Sequence, residues 1–242
     1  MSMEIIVCKD YEEMSARAAE IVADVMKASA APVLGLATGS TPVGMYKKLI
    51  EKNAAGEIDF SNVTTVNLDE YYPIAPDNDQ SYRYFMNVNL FDHVNIDKSR
   101  TFVPNGMAAD PDQACADYEA QLAAVGAPDI QVLGIGQNGH IGFNEPDDAL
   151  IVPTHVTSLT QSTIEANARF FASIDDVPTR ALTMGIGSIM RAKKIIILAN
   201  GKAKAAAVTK LLEGKLDTSC PATMLNLHPD VVVVCDTAAM GN

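Results

Sequence analysis

Ile130-Gln-Val-Leu-Gly-Ile-Gly-Gln-Asn-Gly-His-Ile-Gly-Phe-Asn-Glu-Pro146 begins as an apolar strand and breaks into a glycine-rich loop. Residues 130–135 are short and aliphatic, the pattern of a strand covered on both faces. Gly134-Ile-Gly-Gln-Asn-Gly139 then matches G-x-G-x-x-G. A dinucleotide site needs a helix directly after the third glycine and an acidic residue at the end of the next strand. Gly142 and Pro146 oppose that helix, and the next candidate strand, 155–159, runs into Thr160 and Gln161. A nicotinamide cofactor is therefore rejected. What remains is a strand-end loop carrying Asn138, His140, Asn144 and Glu145. His140 and Glu145 have the chemistry of an acid/base pair, although a structural His–Glu hydrogen bond would use the same two residues.

Outward from this loop, apolar runs alternate with helical patterns. Strands are expected at 4–8, 33–37, 63–68, 181–184, 194–199 and 231–235. Met14, Ala18, Ile21, Val22 and Val25 repeat at helical spacing behind a capping-box signal, Asp10 with Glu13. Further helices are expected at 42–54, 81–91, 111–124, 161–171 and 202–212. The alternation predicts an α/β fold with a mostly parallel central sheet. Neither a repeat nor a linker divides residues 1–242, so a single domain is expected. Ligands in such folds bind beyond the carboxyl ends of the strands.

Three more strand-end loops carry reactive groups. Ala37-Thr-Gly-Ser-Thr-Pro42 precedes a helix, with Thr41 as a natural N-cap and Pro42 in the first helical position. Its free N–H groups would suit a phosphate, but an ordinary capped turn reads the same, and no P-loop motif is present. Asn67-Leu-Asp-Glu-Tyr-Tyr-Pro73 holds the adjacent carboxylates Asp69 and Glu70, whose side chains should diverge, one to a cleft and one to solvent or a cap. Asn200-Gly-Lys-Ala-Lys204 puts Lys202 and Lys204 at a helix start, where cations oppose the dipole unless an anion lies between. Arg169 is a second candidate anion clamp. His93, His155 and His228 read as surface or capping residues.

Eighteen Lys and Arg against 30 Asp and Glu leave a net charge of −12, which argues against a nucleic-acid or membrane-surface partner. An anionic substrate would need local dipoles and a few placed cations. Cys8, Cys115, Cys220 and Cys235 form no C-x-x-C pair and no zinc-ligand spacing, so buried reduced thiols are expected. The first residues lack the cationic start and cleavage site of a signal peptide, which places the expected location in the cytoplasm.

Taken together, the quoted loops, with Asn167-Ala-Arg-Phe-Phe171 and Leu227-His-Pro229, make the chain resemble the glucosamine-6-phosphate deaminase (isomerising) family along nearly its full length. The related 6-phosphogluconolactonases share the fold and the Gly-His core without the continuation Ile-Gly-Phe-Asn-Glu-Pro146. The resemblance implies a Rossmann-like three-layer fold with a helical lid and a reaction without metal or coenzyme. Glucosamine 6-phosphate and water would give fructose 6-phosphate and ammonia. By the same matching, His140 opens the sugar ring, Glu145 orients it, and Asp69 carries the proton from C2 to C1. Thr38, Gly39, Ser40 and Thr41 would hold the phosphate with Arg169 and Lys204, and the segment around Arg169 would form the lid.

Two departures carry expectations. The family often has aspartate where Asn138 stands; asparagine can only orient His140, so the pH profile should change. Larger hexameric relatives bind an activator, N-acetylglucosamine 6-phosphate, through basic residues after the His/Glu loop and a longer C-terminal tail. Residues 147–157 contain no Lys or Arg and the sequence stops at Asn242, so hyperbolic kinetics and a monomer or low-order homo-oligomer are expected. The alternatives are a 6-phosphogluconolactonase, which needs no C2 proton transfer, and a non-catalytic sugar-phosphate sensor, for which a basic helix-turn-helix is missing.

Overall fold

The structure, a computed structural model, describes residues 3–241 apart from 162, 163, 166, 167, 169, 170, 172, 175 and 176. The expected helix over 161–171 falls largely, and Arg169 entirely, outside the described residues. Among these, the strands are β1 (Glu4–Cys8), β2 (Val33–Leu36), β3 (Thr64–Asn67), β4 (Asp69–Tyr72), β5 (Thr101–Phe102), β6 (Ile130–Gly134), β7 (His155–Ser158), β8 (Arg180–Thr183), β9 (Ile195–Ala199) and β10 (Val231–Asp236). The α-helices are α1 (Tyr11–Ala28), α2 (Val43–Ala54), α3 (Tyr82–Asn89), α4 (Pro111–Val125), α5 (Ile186–Ile189) and α6 (Ala205–Leu212).

Seven strands form the central sheet in the order β1-β10-β9-β6-β2-β3-β5. Its pairings are all parallel. Successive strand residues face opposite ways, and every residue of β9 and β10 is buried. Both faces are therefore covered, the three-layer arrangement of a doubly wound fold. The helices start where local chemistry dictates. Asp10 accepts the Glu13 N–H at 2.9 Å, while the Glu13 carboxylate takes the Lys9 N–H at 2.7 Å. Asp110 caps α4 through the N–H groups of Asp112 and Gln113, with Pro111 in the first helical position.

Two expectations need correction. The run 181–184 does not join the central sheet. It forms β8, paired antiparallel with β4 and β7 in a separate small sheet. A short apolar run does not specify which sheet will take it. Asp69, expected at a strand end, is instead the first residue of β4. The chain leaves the central sheet at Asn67 and enters the small sheet two residues later, and the Met184 N–H holds Leu68 O at that junction (2.7 Å).

Candidate active site

Parallel pairing sends the loops after β2, β3, β6 and β9 out of one edge of the sheet. From β2 the chain winds outward through β3 to β5; from β6 it winds the other way through β9 and β10. The loops after β2 and β6 part at this reversal and leave a crevice, the place where open α/β sheets bind ligands.

Asp69 and Glu70 diverge as adjacent strand residues must. Glu70 is consumed by structure: its carboxylate accepts the N–H groups of Tyr71, Tyr82 and Arg83 at 2.8–3.0 Å and so caps the start of α3. Among the described residues, Asp69 has no such cage. It is 6% exposed, and burial, helped by the neighbouring Glu70 charge, pushes its carboxyl up to about 8. Burial likewise raises Glu70, to about 7, against the pull of its three N–H donors. Beside Asp69 stands an aromatic wall in which Tyr82 and Phe143 stack at 6.1 Å and Tyr71 packs against both.

No helix follows β6. Gly139 takes φ +85°, and a Cβ there would meet Cys220 Sγ at 2.2 Å. The His140 ring lies over Gly136, where a Cβ would sit 2.4 Å from it. His140 Nδ1 is 3.2 Å from Glu145 Oε1, close enough for charge attraction but not aligned as a hydrogen bond. Asn138 ties the loop at both ends: its Oδ1 accepts the His140 backbone N–H at 3.2 Å and its Nδ2 donates to Glu145 Oε2 at 2.7 Å. It therefore fixes His140 through the backbone and through Glu145 rather than through the ring. Gly142 brings this loop to Asp69: a Cβ on Gly142 would stand 3.5 Å from Asp69 Oδ2.

The loop after β2 departs from expectation at its cap. Thr41 does not cap α2; Pro42 occupies that position without a side-chain bond. The Thr41 hydroxyl instead donates to Asn200 Oδ1 at 3.1 Å, joining this loop to the one after β9. Tyr11 does part of the cap's work, accepting the Gly44 N–H at 2.8 Å and donating to Ser40 O at 3.0 Å. Tyr46 anchors the loop's first residue through Ala37 O. Gly39 adopts φ +89°, and the N–H groups of Gly39, Ser40 and Thr41 meet no acceptor among the described residues. In the loop after β9, Asp236 grips the Gly201 N–H with both oxygens at 3.0 Å. The 3-10 turn Lys202–Lys204 follows, and the half-buried Lys204 ammonium contacts no carboxylate among the described residues. Desolvation pulls its pKa below the usual lysine value.

The glucosamine-6-phosphate isomerases/6-phosphogluconolactonase family matches residues 9–234. The chain belongs to this family. The glucosamine-6-phosphate deaminase of Clostridium perfringens is 57% identical over 237 residues, 98% of each chain. A solved monomeric glucosamine-6-phosphate deaminase superposes at a TM-score of 0.96 with 48% identity, covering 99% of both chains. The 6-phosphogluconolactonase of Trypanosoma brucei, at 20% identity and a TM-score of 0.79 over 100% of this chain and 98% of its own, shares the fold alone.

The structure gathers Asp69 with Asn138, His140 and Glu145 across Gly142 and links the loop of Thr38, Gly39, Ser40 and Thr41 to that of Lys204 through Thr41 and Asn200; Arg169 lies outside the described residues. The roles of Tyr11, Asn200 and Asp236 escaped the sequence reading because their partners are distant in the chain; Asn200 and Asp236, at strand ends, carried a positional signal. His228 is a capping residue, as the C-cap of the 3-10 turn Pro221–Leu227, but it is buried rather than at the surface, with Nε2 2.7 Å from Ala192 O. The four cysteines are buried and free. Among the described residues, no helix is long and apolar enough to cross a membrane, and no cluster of His, Cys, Asp or Glu is arranged to hold a metal ion.

Proposed function

We propose that this chain converts glucosamine 6-phosphate and water into fructose 6-phosphate and ammonia. The observation that carries the reading is the buried, uncapped Asp69 carboxyl facing the His140–Glu145 loop across Gly142. The near-full-length similarity to deaminases supports the same substrate. The phosphate rests on the free N–H groups of Gly39, Ser40 and Thr41 beside the hydroxyl of Thr38, and Lys204 and Arg169 neutralise it. This answers the net charge of −12, which repels anions at long range. His140 takes the anomeric hydroxyl proton and delivers a proton to the ring oxygen, opening the sugar. Glu145 supports the imidazolium formed in that step, and Asn138 keeps both in place. Asp69 then removes the C2 proton, which with the C1 oxygen protonated leaves an enolamine, and returns that proton to C1, which leaves an iminium at C2; water adds there and ammonia leaves. A single carboxylate in a dry site suffices for this shuttle.

The reading includes no metal and no coenzyme. It places the protein in the cytoplasm, in amino-sugar catabolism fed by N-acetylglucosamine, as a monomer or low-order homo-oligomer with hyperbolic kinetics. The segment around Arg169 closes over the bound sugar as a lid. A lactonase would leave Asp69 without a task, since lactone hydrolysis moves no carbon-bound proton. The test is ammonia and fructose 6-phosphate formation by purified protein given glucosamine 6-phosphate. Binding without turnover, or turnover of 6-phosphogluconolactone alone, would refute the proposal.

A further inference from the structure

Thr183 has no step of its own in this reaction, yet it stands between the two elements that must meet. Its backbone pairs with Asp69 across the antiparallel ladder of β4 and β8. Its Oγ1, fully buried, accepts the Phe143 N–H of the histidine loop at 3.1 Å. Asn144, also buried, adds a second tie from the loop by donating through Nδ2 to Met184 O at 2.9 Å. The contacts converge over Gly142, which adopts φ +58°. A Cβ there would lie 3.0 Å from Thr183 Oγ1, 3.5 Å from Asp69 Oδ2 and 3.6 Å from Asn144 Nδ2. One threonine thus holds the carboxylate strand by its backbone and the histidine loop by its side chain, with His140 three residues before the bonded amide.

We infer that Thr183 is a positioning residue that sets the separation between Asp69 and His140. The inference rests on the proposed function, which gives those two groups successive proton transfers on one substrate. If the Thr183 hydroxyl is lost, the Phe143 N–H is left buried without an acceptor, and the loop must shift to find one. The phosphate grip lies on the loops after β2 and β9 and does not depend on this contact.

The test compares Thr183→Val with Thr183→Ser. Valine keeps the β-branched shape that suits a strand and removes the acceptor; serine keeps the acceptor. Thr183→Val is expected to lower kcat about 10- to 100-fold, the range produced by about 1 Å of misplacement, and to leave KM within about twofold. Thr183→Ser is expected to recover kcat to within about threefold of the parent. Thermal unfolding is measured alongside. Should the valine variant not fold, Thr183→Ser and Thr183→Ala, which differ by the hydroxyl alone, make the same comparison. Unchanged kcat in the variant without the hydroxyl, or equal losses with and without it, overturns the inference. An unmodified chain that releases no ammonia overturns the function on which it rests, so the two failures are distinguishable.

Discussion

Replacing Asp69 by asparagine separates what this carboxyl costs the fold from what it does in the reaction. The folded carboxyl holds its proton up to about 8, whereas the unfolded chain releases it near 3.8. Between those values unfolding releases a proton, so stability is greatest below about pH 4, falls as pH rises, and levels off above about 8. At about 1.4 kcal/mol per pH unit, the loss contributed by Asp69 between pH 5 and pH 8.5 is at most about 4 kcal/mol. Glu70, raised to about 7, adds to the decline in both proteins. Asparagine has the same shape and no charge, so Asp69→Asn gains on the parent protein as pH rises. Urea midpoints at pH 5 and pH 8.5 measure that gain. The same substitution removes the base and lowers kcat by about a hundred- to ten-thousandfold, with sugar-phosphate binding retained. Because kcat/KM reports the free enzyme, its rise with pH should be centred near 8 in the parent and absent from the variant. A variant that deaminates at the parent's rate, or whose stability advantage does not grow with pH, would refute the reasoning.

Lys204→Gln should raise KM about 10- to 100-fold with little change in kcat, as expected for losing one charge-assisted contact to a phosphate; steady-state kinetics with glucosamine 6-phosphate checks this. Asn138→Asp replaces an amide that donates to Glu145 Oε2 at 2.7 Å with a second carboxylate. The pair should then keep one proton to higher pH, and the acid limb of the kcat profile should move upward with activity kept within about tenfold. Gly139→Ala combines φ +85° with a Cβ 2.2 Å from Cys220 Sγ. It should destabilise the protein by about 2–4 kcal/mol in urea titration and slow the reaction through the displaced His140.

The parts of this site that were legible in the sequence are those encoded locally. Gly142 and Pro146 announced a loop rather than a helix after β6, and adjacency forced Asp69 and Glu70 apart before any fold was known. Which of the two would be free was not legible, because the choice depends on α3 presenting its N–H groups to Glu70 from twelve residues away. Thr41 misled for the same reason: a threonine before proline is a good cap in isolation, but Asn200, 159 residues on, takes its hydroxyl. The antiparallel sheet of β4, β8 and β7 was invisible because a short apolar run records burial and not its pairing partner. Thr183 had no signal at all, since its importance lies in what meets across 40 residues of chain.

The most direct measurement follows deuterium placed at C2 of glucosamine 6-phosphate through one turnover in ordinary water. The account predicts that part of the label reappears at C1 of fructose 6-phosphate, carried by the enclosed Asp69 carboxyl, and that Asp69→Asn loses the transfer and slows product formation by about a hundred- to ten-thousandfold. Product with no deuterium at C1, all of the label having gone to water, or undiminished transfer in the asparagine variant, would contradict it.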